Sequence, residues 1–387
     1  MKSLKYIFLF LFITSVAYSQ NVRITDFEVP VSKARKLLLN GFHNWSQTGD
    51  SVTTNEFRAD GTYTQFYSSL PFAWSIGGTA FTSRKFADTT RVGFSVNGDV
   101  RKYFSNTKGF FGYGAFTSDY TKKKEFGEEN RPEVNVEAGL GYGRFIDATA
   151  MFKAIRIDQE LRRAGITTAY MPKSTMLKIA QIIDRESEYQ DRYKDIYEGR
   201  IISDISNEVI NSGVAKNTNM DAFGFFRIRQ VLVGANQFVT QRLYGGDVRV
   251  GIGYQFLTRN KALETNAPTA NITARYSYPI DIRQQINLFA TARTPIDSSF
   301  GKIVTGSGNV DYSFTLTNKI QFIAGYTVTF VQDTQLRDIS VADHRGFGGF
   351  RYYLENNISL ALTGSYEKLH NEKKRLASNV TFIYTIW

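Results

Sequence analysis

Cysteine is absent from this chain of 387 residues, and proline (7 residues) and histidine (3 residues) are scarce. The lack of cysteine excludes disulfide bonds, thiolate metal sites and a lipid anchor on an N-terminal cysteine. No group of histidines and acids has the spacing of a metal site, so we expect neither a metal nor another cofactor. After the first twenty residues, no apolar run approaches the roughly 18 residues of a membrane-spanning helix. Such a chain can cross a membrane only as a barrel of strands.

The segment 1–19 has the pattern of a secretory signal peptide. Lys2 and Lys5 precede an apolar run over 6–17, which is followed by small residues at the cleavage positions. We therefore expect a mature chain that begins at Gln20 and has a formal net charge reduced from +11 to +9 by the loss of the two lysines. An exported basic protein rarely meets nucleic acid. Anionic lipid headgroups or small anionic solutes are its expected partners.

Apolar and polar residues alternate over many segments, and aromatic residues reach 14% of the chain. A transmembrane strand shows about ten residues of such alternation, because side chains point in turn to lipid and to the lumen. In the clearest segment, 247–256, one parity is apolar and the other carries charges and glycines. The apolar parity is Val248, Val250, Ile252, Tyr254 and Phe256.

The alternating segments predict an all-β fold, a transmembrane antiparallel barrel of about fourteen strands with an uncertainty of about two. Six strands fall within 20–145 and eight within 239–387, with a helical insert over 146–238. Short turns and longer polar stretches alternate along the chain, as expected for periplasmic turns and external loops. The strands are expected near 36–47, 55–68, 72–84, 90–103, 109–121, 132–145, 240–257, 268–280, 283–293, 305–317, 319–332, 344–355, 357–369 and 376–387.

The end of the chain, 380–387, alternates and finishes on Trp387. It resembles the terminal strand of outer-membrane proteins of Gram-negative bacteria, although the aromatic falls on the parity opposite Val380 and Phe382. The signal peptide resembles those of Bacteroidota. These resemblances imply an outer-membrane location, contact with outer-membrane lipid and lipopolysaccharide, and recognition of the last strand by the barrel insertion machinery.

Within the insert the period changes from two to about 3.6 residues, which predicts helices. The first is expected from an N-cap at Asp147 to Gly165, the second from Pro172, and the third through 189–213. The segment 222–232 is compatible with a fourth helix or with a strand. By the strand count, the insert lies in the periplasm or in the lumen. Its apolar stripes indicate packing among its own helices or a docking face for a periplasmic protein that would include Tyr189, Tyr193 and Tyr197.

Twelve charged residues fall on the parity opposite the apolar face, where a position facing lipid would be costly. They predict either a weakly anion-selective channel or a salt-bridged network that rigidifies a nearly closed lumen. The candidates are Arg91, Asp99, Arg101, Glu137, Asp247, Arg249, Arg275, Arg293, Asp311, Arg345, Arg351 and Glu367.

Five glycines share this parity beside the insert. They would let a helix or loop of the insert lie against the barrel, or they relieve strain where the barrel bends. They are Gly139, Gly141, Gly143, Gly251 and Gly253.

Three functions compete on these observations. The leading one is a channel, open or gated, for small polar or anionic solutes, and the second is a non-conducting anchor whose helices bind an envelope or export partner. The third is a lipid-modifying enzyme that would use His43, His344 or His370 near the external rim. Because no recognisable motif links a histidine to a serine or an acid, we expect the protein not to be an enzyme.

Overall fold

The computed structural model describes most of the chain outside its first 21 residues. The predicted signal peptide and Trp387 lie outside the described residues. The described ranges are 22–28, 32–85, 90–104, 109–122, 131–234, 241–258, 267–334, 339–355 and 358–384.

All fourteen predicted strands are present and form one antiparallel sheet in which each strand pairs with its neighbours in sequence. The alternating pattern succeeds because a strand with one apolar and one polar face can be stable only in one register. The strands are β1 (Ser32–Thr48), β2 (Ser51–Ser68), β3 (Phe72–Arg84), β4 (Arg91–Tyr103), β5 (Phe110–Lys122), β6 (Glu133–Asp147), β7 (Leu243–Leu257), β8 (Thr269–Pro279), β9 (Gln284–Pro295), β10 (Ile303–Thr317), β11 (Ile320–Asp333), β12 (Ile339–Glu355), β13 (Ile358–Lys368) and β14 (Arg375–Tyr384).

The two faces of the sheet differ in polarity and burial. On β7, Val250 is 57% exposed and Ile252 is 60% exposed, whereas Asp247 on the opposite face is 2% exposed. We call the apolar, exposed face the outer face and the polar face the inner face. Buried side chains from many strands share the inner face with Asp247, among them Tyr113, Ser277 and Gln321. This is the pattern of a transmembrane β-barrel, in which lipid covers the apolar side.

The first and last strands form the two edges of the sheet. Each consecutive pair from β1 to β14 is hydrogen-bonded, and no pairing joins β14 to β1 within the described residues. Leu39 on β1 is 74% exposed and Leu376 on β14 is 72% exposed. Within the described residues, β1 and β14 are therefore the edge strands of the sheet.

Five helices lie between β6 and β7, as the change of period predicts. They are α1 (Thr149–Arg163), α2 (Lys173–Asp184), α3 (Glu186–Tyr193), α4 (Tyr197–Asn211) and α5 (Ala222–Val233). The ambiguous segment near 222 is thus helical: Asp221 caps it by accepting a hydrogen bond from the Gly224 N–H at 2.7 Å. None of the described helices is long and apolar enough to cross a membrane.

The third predicted helix is interrupted at Lys194, where the structure corrects the sequence reading. Lys194 has a positive φ of 49°, and a short 3-10 turn over Lys194–Ile196 separates α3 from α4. The regular spacing of tyrosines and isoleucines conceals this break, because both halves present their apolar residues to the same core. The predicted helix ends at Gly165 and Gly213 are confirmed by their left-handed φ values of 71° and 76°.

The helices share one apolar core, which also includes a short segment near the N-terminus. Val22, Ile24 and Phe27 are at most 6% exposed and pack with the buried faces of α1, α2, α4 and α5. The Tyr244 hydroxyl donates to the Phe27 carbonyl oxygen at 2.6 Å. We call this unit, residues 22–28 together with 148–234, the helical cap. The sequence reading missed the contribution of residues 22–28, because so short a segment carries no periodicity.

Asp158 on α1 is a fully buried carboxyl group within the cap. Its Oδ1 accepts from the Met171 N–H at 3.0 Å, and burial raises the pKa of Asp158 from 3.8 to about 6. Because the folded cap binds this proton more tightly than the unfolded chain does, ionisation destabilises the cap as the pH rises from about 4 through about 6.

Asp158→Asn is therefore expected to stabilise the cap above pH 6, by up to roughly 3 kcal/mol for about two pH units. Thermal melts followed by circular dichroism at 222 nm between pH 4 and pH 8 measure this. The wild-type melting temperature should fall across the interval and that of the variant should stay level. Asp158→Ala, which also removes the acceptor for Met171, serves as the control: its melting temperature should not vary across the interval and should lie below that of Asp158→Asn. A wild-type profile that rises with pH would contradict the assignment.

Candidate pore lining and its helical cap

All twelve charged candidates lie on the inner face. The register links them through chains of directly paired residues that cross the sheet, such as Arg101 to Tyr113, Tyr113 to Gly139 and Gly139 to Gly251. Arg91 and Asp99 lie on this face of β4, where they pair with residues of β3. Arg345 and Arg351 lie on the same face of β12, and Glu367 lies on that of β13. The alternation on each strand thus indicates the face on which each charge lies, whereas the distances between the charges depend on how the strands pair.

Asp247 is the centre of the most buried group of charges on the inner face. Its carboxylate lies 3.3 Å from the Arg249 guanidinium and also pairs with Arg275, and the Asp247 side chain has no exposed surface. The Arg275 guanidinium lies 4.6 Å from the centre of the Phe145 ring, and that of Arg249 lies 5.7 Å from the Tyr113 ring. Two arginines thus share one carboxylate, which is the acidic partner of both.

Two further groups flank Asp247. Asp99 lies 2.8 Å from the Arg101 guanidinium and accepts a hydrogen bond from the Ser75 hydroxyl. Glu137 accepts from the Tyr113 hydroxyl and, at 2.7 Å, from the Asn271 side-chain amide. These contacts bring six of the candidates together across β4 to β8. They form salt bridges and hydrogen bonds of the kind expected for a salt-bridged network, the second of the two interpretations of these charges.

The remaining candidates lie farther along the inner face. The Arg293 Nε donates to the Thr305 hydroxyl at 3.0 Å, and Arg345 pairs with Glu367 at 2.8 Å in a more exposed setting. Asp311 pairs across the sheet with Asn287 on one side and Gly325 on the other. These residues are therefore spread along the sheet and are not gathered at one point.

The five glycines contact neighbouring strands. A Cβ at Gly139 would lie 2.1 Å from the Val250 carbonyl oxygen, one at Gly141 would meet the Phe111 ring, and one at Gly251 would meet the Tyr113 hydroxyl. The atoms nearest to Gly143 and Gly253 likewise belong to β7 and β8. Of the two interpretations of these glycines, packing against the insert is wrong, because the nearest atoms belong to neighbouring strands. The glycines make room for aromatic side chains of β5 and for close approach of β6 and β7.

The helical cap is attached to the end of the sheet where its short turns lie. The Arg242 side chain is fully buried between the Phe152 ring, 4.6 Å away, and the 280–283 turn, where it donates to the Ile282 carbonyl oxygen at 3.2 Å. Burial lowers the pKa of Arg242 to about 10, so the group remains protonated at neutral pH. The sequence offered no periodic signal for Arg242, because it precedes β7 and makes its contacts only in the tertiary structure.

Two other contacts extend this attachment around the sheet. The Ser187 hydroxyl donates to the Lys33 carbonyl oxygen at the start of β1, at 2.6 Å. The Asn318 side-chain amide, in the turn between β10 and β11, donates to the Glu160 carboxylate of α1 at 3.0 Å. The cap therefore lies over this end of the sheet in contact with strands from both halves of the chain.

The proposed docking tyrosines are mostly internal. Tyr189 is 8% exposed and donates its hydroxyl to Asp204, while Tyr193 and Tyr197 are partly buried against the cap core. The reading of Tyr189 as a docking residue is therefore corrected to a packing role. The exposed aromatic residues of the described cap are Tyr170, which is 41% exposed, and two residues of α5, Phe223 at 48% and Phe226 at 50%.

The three histidines lie at or near the end of the sheet opposite the cap. His43 lies 3.1 Å from the Asn55 side-chain oxygen, and His344 lies 2.6 Å from the Tyr326 hydroxyl. The His370 backbone N–H donates to Asp343 at 2.7 Å. Within the described residues, no group of three or more histidines and acids has the geometry to hold a metal ion.

Comparison with known proteins gives no family for this chain: no family model matches it, and no curated protein matches it in sequence. Among solved structures, the translocator domain of the autotransporter NalP from Neisseria meningitidis is similar over 94% of this chain and 92% of its own, with 9% identity and a TM-score of 0.24. The CymD monoaromatic hydrocarbon channel gives 94% and 90% coverage, 9% identity and a TM-score of 0.28. OpdQ from Pseudomonas aeruginosa gives 91% and 96% coverage, 7% identity and a TM-score of 0.30.

The chain's own strands, with an apolar outer face and a charged inner face, define the class: a fourteen-stranded antiparallel transmembrane β-barrel. Within that class, the particular feature of this protein is a helical cap between the sixth and seventh strands, bound to the turns at one end of the barrel.

Proposed function

We propose that this protein is an outer-membrane channel of a Gram-negative bacterium for small polar or anionic solutes, with the helical cap over its periplasmic mouth. The observation that carries the proposal is the charged inner face, on which all twelve predicted charges lie by register. Buried charges are costly unless they are compensated, so their number on one face supports a role in solute passage.

Cavity space on the inner face supports passage from the end opposite the cap. A cavity of about 460 Å³ is lined by polar groups that include Glu137, Asn271 and Arg293, at the ends of β6 to β10 farthest from the helices. A cavity of this volume accommodates a small solute. The groups lining it are hydrogen-bonded, so they are held in position for a passing polar molecule.

Weak anion selectivity is proposed from the twelve candidates, of which seven are arginines and five are acids. Rings of arginine and lysine favour anions in pores, whereas paired charges contribute less. The network around Asp247 balances three arginines with three acids, so the excess of arginines lies outside it, among Arg91, Arg293, Arg345 and Arg351.

Conductance in planar bilayers tests the proposal. Purified wild-type protein is expected to show small, gated conductance steps. A variant in which residues 149–233 are replaced by a short turn, and from which 22–28 are also removed, should conduct several times more, because the cap no longer covers the mouth. A potassium chloride gradient should give a reversal potential of the anion-selective sign, reduced in Arg293→Gln. Lys178→Gln, an exposed change on the surface of the cap, is the control and should leave conductance unchanged.

Absence of conductance at all voltages, in the wild type and in the variant without the cap, would overturn the channel proposal.

The second candidate function is a non-conducting anchor. It is supported by the exposed residues Phe223 and Phe226 on α5, which offer an apolar surface to a periplasmic protein. A photo-crosslinker at Phe226 that captures one defined envelope protein, together with silent bilayers, would favour the anchor.

A further inference from the structure

A second cavity, of about 770 Å³, lies where α1 of the helical cap meets the turns of the barrel. Five cationic side chains line it, and no acidic side chain does among the described lining residues. They come from three separate segments of the chain, so no local sequence pattern predicts that they lie together. The five are Arg156, Arg162, Arg163, Arg283 and Lys319.

The innermost of these cations is held in a fixed position. The Arg156 side chain is 16% exposed, and its guanidinium lies 3.4 Å from the Glu160 carboxylate and also donates to the Asn318 side chain. Burial lowers the pKa of Arg156, and the nearby charges of Arg163 and Arg283 lower it further. Glu160 is shared between Arg156 and Arg163, so the positive charges at this site exceed the negative charge in contact with them.

The outer cations of the cavity are more accessible. The Arg162 guanidinium lies 4.4 Å from the Tyr170 ring centre and donates to the Thr168 carbonyl oxygen at 3.1 Å. The Arg163 side chain is 66% exposed and is tied to Glu160 at 2.9 Å. Planar guanidinium groups with spare N–H donors suit a tetrahedral anion, since they offer two parallel hydrogen bonds to its oxygens.

The opposite side of the cavity is apolar. Leu316, Ile320 and Tyr352 line it, and Ile320 and Tyr352 are directly paired on the outer face of the sheet. The cavity therefore joins a cationic surface of the cap to the rim of the face that lipid covers in a membrane. Basic pockets placed at this depth are suited to lipid headgroups, because an acyl chain can follow the apolar side while the phosphate meets the cations.

We propose that this cavity binds a phosphate ester. The group is carried either by an anionic phospholipid of the adjacent leaflet or by a soluble phosphate-bearing solute at the mouth of the barrel. The lipid source rests on the membrane placement in the proposed function, whereas the binding chemistry rests on the cavity alone. A bound phosphate would connect α1 to the turns around 283 and 319 and so would strengthen the attachment of the cap.

Native mass spectrometry of the full protein, released from nanodiscs, tests the lipid source. The nanodiscs contain equal amounts of phosphatidylglycerol and phosphatidylcholine. We expect retention of phosphatidylglycerol in preference to phosphatidylcholine. The triple variant Arg162→Gln, Arg163→Gln, Lys319→Gln should lose affinity by about a hundred-fold, at about 1 kcal/mol per cation and about 1.4 kcal/mol per factor of ten. Arg156 is left intact, because its contacts with Glu160 and Asn318 are structural. Lys178→Gln combined with Arg229→Gln, exposed cations of the cap outside the cavity, is the matched control and should retain lipid as the wild type does.

Calorimetric titration of the same proteins in neutral detergent with glycerol 3-phosphate and with inorganic phosphate tests the soluble source. Saturable binding that the triple variant loses, without lipid preference in the nanodiscs, would assign the site to a soluble phosphate. If the wild type shows neither lipid preference nor phosphate binding, or if the triple variant equals the wild type in both, the proposal is overturned. Bilayer conductance of the same preparations reports on the channel proposal separately, so silent bilayers with retained lipid would refute only the channel.

Discussion

Val250→Arg is expected to destabilise the folded protein in a lipid bilayer by about 2 to 4 kcal/mol, because it places a guanidinium near mid-depth on a lipid-facing surface. Val250 is 57% exposed on the outer face of β7, and its neighbours across the sheet are Leu140 and Ile272. The measurement is urea-dependent refolding into vesicles, followed by the altered electrophoretic mobility of folded barrels in unheated samples.

Ser307→Arg is the matched control for this substitution. Ser307 follows Gly306, which connects to Val250 through Ala292 and Ile272 in the register, so the two positions are linked across β7 to β10. Ser307 belongs to the inner face, where a long cationic side chain can reach water. A change of less than about 1 kcal/mol is expected there, as for ordinary surface positions. Equal losses for the two variants would contradict the assignment of an outer face to lipid.

Gly139→Ala is expected to cost at least about 2 kcal/mol, since it forces atoms into a space occupied by backbone. A Cβ at this position would lie 2.1 Å from the Val250 carbonyl oxygen and 2.5 Å from the Gly251 Cα, and neither atom can move without shifting β7. Gly139 and Gly251 are directly paired across β6 and β7, the strands on either side of the helical cap. The same refolding assay measures the loss, which would appear as a lower urea midpoint.

Gly308→Ala distinguishes this steric effect from the general consequence of replacing a strand glycine. A Cβ at Gly308 meets only the Val328 side chain, at the ordinary distance of 3.5 Å. This variant should be as stable as the wild type or slightly more so, because alanine reduces the conformational freedom of the unfolded chain. Comparable loss in both variants would mean that the close approach of β6 and β7 is not what constrains Gly139.

The charges around Asp247 and those at the junction of the cap with the turns have different surroundings. Around Asp247 the arginines are paired and packed against aromatic rings, which favours a fixed network. At the junction of the cap with the turns, cations exceed acids and are partly exposed, which favours an exchangeable ligand. The first arrangement fixes the side chains around Asp247 through paired contacts, while the second is the place where, in our proposal, a bound anion would alter how firmly the cap is attached.

Alternation along the chain was sufficient to predict the strands, their faces and their order. A period of two assigns each side chain to one face, and in a meander each strand pairs with the next, so local pattern and global topology coincide. The same reasoning identified the inner-face charges, of which Asp247, Arg249 and Arg275 are examples. It failed at Lys194, where the helix breaks although the apolar spacing continues.

The sequence alone therefore determined the strand count, the polarity of each face and the existence of a helical insert, because these depend on neighbours that are close in the chain. Only the tertiary structure decided that Phe27 belongs to the cap, that Arg242 fastens the cap to the 280–283 turn, and that Arg156 meets Asn318. These contacts join residues that are 40 to more than 150 positions apart. Periodicity carries no information about such pairs, since they are selected by how whole elements pack.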